Sequence, residues 1–210
     1  MNTWLTTLKT TKLIPLISVN DVHQARQMMQ LLAEANILVA EIGFNQPNSS
    51  EILTTLKKEF PEALLLAGGI IQKDRAAIAI DSGADILITP SINPDILTFA
   101  KEKACPIIPG VNTPLSLEMA LANDISLVKF FPAEASGGVK LIKALNSVYP
   151  DITYIPMGGI DDSNIDSYFA HKNVIACGIG FITETKQIQK GNWRLLKTRI
   201  KTIQSILKYT

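Results

Sequence analysis

Short apolar runs alternate with amphipathic segments along the chain. The first run spans Leu13 to Ser18, and others begin near Ile37, Ala63, Asp85, Pro106, Leu127, Ile152 and Val174. Each is about four to seven residues long and rich in Ile, Val and Leu. Apolar residues stand side by side in them instead of alternating with polar ones. That is how strands covered on both faces read, as in a parallel sheet.

The intervening segments carry helix signals. Asp21 caps a predicted helix running to about Ala35, with Ala25, Met28, Met29, Leu32 and Ala33 on one side. Asn48 or Ser49 caps the next, and Pro61 closes it after Phe60. A helix over Lys73 to Ser82 stops at Gly83. Asn93-Pro94 and Thr113-Pro114 each place a proline at a first helical position, where its missing N–H is harmless. Further helices are expected over Gly138 to Val148 and Asp161 to Ala170, with flanking ones over Thr3 to Thr11 and Asn192 to Leu207.

Eight strands, each followed by a helix and repeating every 20–25 residues or so, make compact βα units. Strict alternation requires a parallel sheet, and eight units favour its closure. The predicted architecture is therefore α/β: a single (β/α)₈ TIM barrel over residues 1–210, with flanking N- and C-terminal helices. The competing open doubly wound sheet would carry a glycine-rich turn after its first strand, and Ser18-Val19-Asn20 is not one.

Composition narrows the setting. The 210 residues are 47% hydrophobic, enough for a sizeable core. The net charge is +1 with no block of like charges, which argues against a nucleic acid or a membrane surface as partner. Cys105 and Cys177 lie in apolar runs outside any CxxC pair, so buried free thiols in a reducing cytosol are expected. No signal-peptide h-region and no stretch near ~20 apolar residues is present, which leads to a cytoplasmic expectation.

In a barrel the chemistry sits at the carboxyl ends of the strands. Polar residues inside the apolar runs are the informative ones. Lys129 lies in Leu127-Val128-Lys129-Phe130-Phe131-Pro132, the sixth strand. An amine held out of water is freed to attack a carbonyl; the alternative is a strand-end lysine snorkelling to solvent. Glu41 lies in Leu38-Val39-Ala40-Glu41-Ile42-Gly43 and needs a cation or a proton there. Lys129 is its candidate partner, in catalysis or in a structural ion pair. Gly158 and Gly159 end strand seven; Gly178, Ile179 and Gly180 end strand eight. Loops after these two strands form the usual phosphate site of barrels. His23 and His171 fall in helices, and no cluster has metal-ligand spacing, so no metal or cofactor is expected.

Three segments resemble a known family. Val128-Lys129-Phe130-Phe131-Pro132-Ala133-Glu134 followed by Ser136-Gly137-Gly138 is similar to the Schiff-base segment of the 2-keto-3-deoxy-6-phosphogluconate (KDPG) / 4-hydroxy-2-oxoglutarate (KHG) aldolases. The likeness continues through Ile108-Pro109-Gly110-Val111-Asn112-Thr113-Pro114 and Pro156-Met157-Gly158-Gly159-Ile160, and spans about Leu13 to Phe181. It implies a metal-free class I aldolase acting on a small 2-keto acid or phosphosugar acid, assembled as a homotrimer. Lys129 would form the imine, and Glu41 would be the general acid/base acting through a water.

The departures touch the substrate shell. The family's arginine four residues after the glutamate is Asn45 here, its threonine after strand three is Gly69, and its threonine before the Gly-Gly pair is Met157. Together with Pro90 and Phe131 these are the candidate substrate contacts. An aldolase with shifted or weakened preference is the leading expectation. An inactive relative that binds a phosphorylated or carbonyl ligand, and a phosphosugar isomerase or epimerase on a similar barrel, are the alternatives.

Overall fold

A computed structural model describes residues 3–208. Its strands are β1 (Leu13–Ile17), β2 (Val39–Gly43), β3 (Leu64–Gly68), β4 (Ile86–Ile88), β5 (Ile107–Ile108), β6 (Gly110–Val111), β7 (Leu127–Phe130), β8 (Thr153–Pro156) and β9 (Cys177–Ile179). Its helices are α1 (Thr3–Thr11), α2 (Val22–Glu34), α3 (Ser49–Glu59), α4 (Lys73–Asp81), α5 (Pro94–Glu102), α6 (Pro114–Leu121), α7 (Gly138–Val148), α8 (Ile165–Phe169), α9 (Thr185–Gln189) and α10 (Trp193–Leu207).

All strand pairs are parallel, as the unbroken apolar runs predict. Six strands are ordered β5-β4-β3-β2-β1-β9, and three more β6-β7-β8. The run beginning at Pro106 was expected as one strand but is divided at Pro109, which has no N–H for the ladder. The Pro109 carbonyl still accepts from the Lys129 N–H at 2.9 Å, so the break lies on one side only. Isolated bridges, Tyr154 to Val174 and Met157 to Gly178, bring the end of β8 alongside β9.

The core has two layers because each strand is covered twice. Inside the curl of the sheet, Ile14, Val39, Leu66, Ile86, Ile88, Ile108, Ile155, Met157 and Ala176 pack together, with Leu8 of α1 among them. The opposite faces meet the helices. There Met28, Met29 and Leu32 of α2 and Leu196, Ile200 and Ile203 of α10 present the stripes expected at helical spacing.

The caps largely follow the sequence. The Asp21 carboxylate accepts from the Gln24 N–H, Asn93 accepts from Asp95 and Ile96, and Thr113 forms a capping box with Ser116. Asn48 differs: its amide donates to the Asn20 carbonyl and leaves α3 without a side-chain cap. The helix expected from Asp161 begins only at Ile165. Asp161 accepts from the Ser163 N–H, and Asn164 accepts from the Asp161 N–H, so side chains take the place of the first turn. Among the described residues no helix is long and apolar enough to cross a membrane. Both cysteines are free, Cys177 buried and Cys105 half-buried.

Candidate active site

Glu41 on β2 and Lys129 on β7 project into the interior of the curl from different sheets. Register aligns Glu41 with Leu16 of β1 and Leu66 of β3, and Lys129 with Gly110 of β6 and Ile155 of β8. The side chains meet with Nζ 3.7 Å from Oε1, and both residues are nearly inaccessible, at 6% and 5% exposure. Lys129 Nζ also sits 4.7 Å from the centre of the Phe131 ring. The snorkelling alternative for Lys129 is therefore excluded.

The spacing separates this pair from the structural ones. Lys57 closes on Asp85, and Arg199 on Glu184, at 2.7 Å with direct hydrogen bonds. A buried ion pair is tolerable as structure only when its geometry is excellent and its donors are satisfied. Lys129 and Glu41 fall short of hydrogen-bond distance while buried. Gly68 makes room for the carboxylate, because a Cβ there would stand 1.8 Å from Glu41 Oε1.

The pair opens onto a cavity of about 190 Å³. Of the residues singled out from sequence, Phe131, Met157, Gly158, Gly159, Gly178, Ile179 and Gly180 line it with Lys129 and Glu41. Ile14, Leu16 and Ile160 complete the wall. Ile160 closes the family-like segment, while Ile14 and Leu16 were not singled out, although residues 14 and 16 share one face of β1 by strand alternation. Met157 lies across Gly178, where a Cβ would come within 2.3 Å of its Cγ. The cavity is thus apolar apart from one lysine, one carboxylate and the backbone of the glycine loops.

Asn45, Gly69 and Pro90 do not line it. Asn45 accepts from the Ser18 hydroxyl at 3.4 Å and borders a neighbouring hollow of about 330 Å³. Gly69 stands at φ +72° facing open space, a conformation that threonine rarely adopts. The Pro90 carbonyl packs against Gly110, where a Cβ would lie 2.2 Å away. Two nearby lysines lie over aromatic rings outside this cavity, Lys12 over Phe169 and Lys73 over Phe99. Arg75, unremarked in the sequence, borders the hollow beside Asn45 and donates to the Phe44 carbonyl at 3.1 Å. Among the described residues no group of three or more His, Cys, Asp or Glu side chains is placed to hold a metal ion.

A lysine kept out of water beside a carboxylate, within a parallel α/β sheet, suits an enzyme that works on a carbonyl substrate through an imine. Comparison with known proteins gives the group. Residues 5–199 match the family model described as KDPG and KHG aldolase, and the chain belongs to that family of carbon–carbon lyases. The 2-dehydro-3-deoxy-phosphogluconate aldolase of Haemophilus influenzae is 38% identical over 201 residues, 96% of this chain and 95% of the relative. That of Treponema pallidum is 31% identical over 186 residues, 89% of each. The structure of the Legionella pneumophila KDPG aldolase, holding pyruvate as a covalent carbinolamine, superposes with a TM-score of 0.89 at 28% identity, covering 93% of this chain and 95% of that one.

Proposed function

We propose that the chain cleaves a 2-keto-3-deoxy phosphosugar acid or 4-hydroxy-2-oxoglutarate through an imine on Lys129. The buried but unbonded contact of Lys129 with Glu41 carries this reading. The free amine of Lys129 adds to the C2 carbonyl, and loss of water leaves a protonated imine. Glu41, through a water, takes the proton from the C4 hydroxyl. The C3–C4 bond breaks, its electron pair passes into the iminium as an enamine, and the aldehyde departs. Glu41 returns the proton to C3, and hydrolysis releases pyruvate and free lysine. No metal or cofactor is called on.

The Gly158–Gly159 loop and the backbone around Gly178, Ile179 and Gly180 lie on the same cavity, within reach of a substrate phosphate. Met157 and Phe131 on the cavity wall supply the substrate carboxylate no cation, and Asn45, Gly69 and Pro90 stand outside the cavity. The apolar wall favours weakened affinity for a carboxylate and improved acceptance of a neutral carbonyl donor. This preference is the second reading.

We read the two sheets as halves of one closed eight-stranded barrel, a reading supported by the parting of β5 and β6 at Pro109 and by the two bridges between the ends of β8 and β9. The single-domain reading is supported by the pairing of the first strand with the last. A homotrimer and a cytoplasmic location accord with the family likeness and the free cysteines.

Borohydride with pyruvate tests the reading. One reduced adduct, mapped to Lys129 and absent from Lys129→Ala, is expected. An adduct on another lysine, or none with any 2-keto acid, would refute it.

A further inference from the structure

The site leaves unused a buried tyrosine whose hydroxyl meets a carboxylate just behind the glycine loop. Tyr168 of α8 is fully buried, and its hydroxyl donates to Glu134 Oε1. Glu134 follows the Lys129 strand in the 3₁₀ turn Glu134–Ser136. Its methylenes press on the loop: a Cβ at Gly159 would lie 2.8 Å from Glu134 Cβ and 2.9 Å from its Cγ. Its carboxylate is bounded on the other side by Gly138, where a Cβ would stand 3.1 Å from Oε1 and 3.3 Å from the Tyr168 hydroxyl.

The loop needs such support. Gly158 and Gly159 adopt φ of +100° and +79°, consecutive conformations with no helix or ladder to hold them. Their neighbours hold them instead, on the carbonyl side. Met157 O accepts from the Ala133 N–H at 2.7 Å, Gly158 O from the Glu134 N–H at 3.1 Å, and Gly159 O from the Asn164 amide at 2.9 Å. Two of these three bonds come from Ala133 and Glu134 at the entry to that turn, and Tyr168 anchors the turn through the Glu134 side chain. Burial, and then the bond to Glu134, raise the Tyr168 phenol far above its usual range, so it stays a donor.

We propose that Tyr168 and Glu134 are a positioning pair that sets the Gly158–Gly159 loop for the phosphate of a phosphorylated substrate. This rests on the reading of that loop as the phosphate site. The pair touches neither the Lys129 amine nor the scissile bond, so its effect is confined to the phosphate end.

The experiment measures KM and kcat on 2-keto-3-deoxy-6-phosphogluconate and on unphosphorylated 4-hydroxy-2-oxoglutarate, with inorganic phosphate as competitive inhibitor. Tyr168→Phe is expected to raise KM for the phosphorylated substrate and Ki for phosphate about tenfold, a ratio equal to ~1.4 kcal/mol. Its kcat/KM on the unphosphorylated substrate is expected within about twofold of the unaltered protein, since a merely structural role would weaken both alike. Glu134→Ala is expected to reproduce the defect. It carries the test should Tyr168→Phe fail to fold, because Glu134 is itself exposed. Glu134→Gln keeps an acceptor for Tyr168 and is expected to restore the phosphate-end constants. Equal losses on both substrates, or none on either, would overturn the positioning role while leaving the phosphate site intact. Absence of phosphate competition in the unaltered protein would overturn the phosphate reading itself, and the pair's role with it.

Discussion

Gly68→Ala asks whether the Glu41 carboxylate acts from the place it occupies. The added methyl would stand 1.8 Å from Oε1, 2.4 Å from Cδ and 2.6 Å from Cγ. Ordinary contact begins at 3.4 Å, so the carboxylate must retreat by about 3.4 − 1.8 = 1.6 Å. Gly68 is absent from the positive-φ glycines, so the backbone tolerates alanine and the effect is steric. A misplacement near 1 Å lowers a rate about 10²-fold, and loss of a general acid/base lowers it 10²–10⁴-fold or so. Turnover, followed as pyruvate release, is expected to fall by about 10²-fold or more, as for Glu41→Gln. Borohydride trapping of pyruvate on Lys129 should persist, because the amine is untouched. Overpacking of this kind costs about 1–3 kcal/mol, so a thermal melt must show that the variant is folded at the assay temperature. The decisive comparison is a double-mutant cycle. If Gly68→Ala acts through Glu41, it adds almost nothing in a Glu41→Ala background. An undiminished 10²-fold loss in that background, or normal turnover of Gly68→Ala alone, would refute the reasoning.

Asn45→Arg with Met157→Thr is expected to lower KM for the keto acid about tenfold by supplying donors to its carboxylate, the scale of one charge-assisted hydrogen bond. Gly69 is left unaltered in that test because its φ of +72° disfavours threonine, and an unchanged KM would remove Asn45 and Met157 from the specificity account. Tyr154→Phe is expected to match or exceed the parent's stability by about 1 kcal/mol in a denaturant titration. The Tyr154 hydroxyl is buried without a hydrogen-bond partner, and burial pushes it up to about 12. Glu184 is held below the usual carboxylate range by its hydrogen bond from Arg199. Its folded value being the depressed one, the stability it adds is complete above its unfolded value and lost as pH falls through the folded value. The small melting-temperature deficit of Glu184→Gln at neutral pH should therefore vanish in acid, and a deficit that persists there would point to packing.

Much of the fold is legible in the chain because burial leaves a local imprint. A strand covered on both faces writes an unbroken apolar run, and a surface helix writes a stripe with a cap at its start. The runs at Leu13, Ala63 and Leu127, the cap at Asp21, and the helix starts at Pro94 and Pro114 fall where these rules put them. Lys129 and Glu41 were legible for the converse reason: a charge inside such a run has no local explanation. What the sequence alone determined was this list of elements and of misfit polar residues.

Their meeting was decided by the tertiary structure. The 3.7 Å contact between β2 and β7 depends on register across successive pairs and on the curl of the sheet, neither of which is written near either residue. The same holds for Gly68 beneath Glu41, Met157 across Gly178, and Tyr168 against Glu134. Asn45 shows the converse: its place four residues after Glu41 suggests the same pocket, yet the β2–α3 connection carries it to a separate hollow with Arg75. Local patterns record how deeply a residue is buried. Which neighbour shares that burial is set by packing between segments distant in the chain.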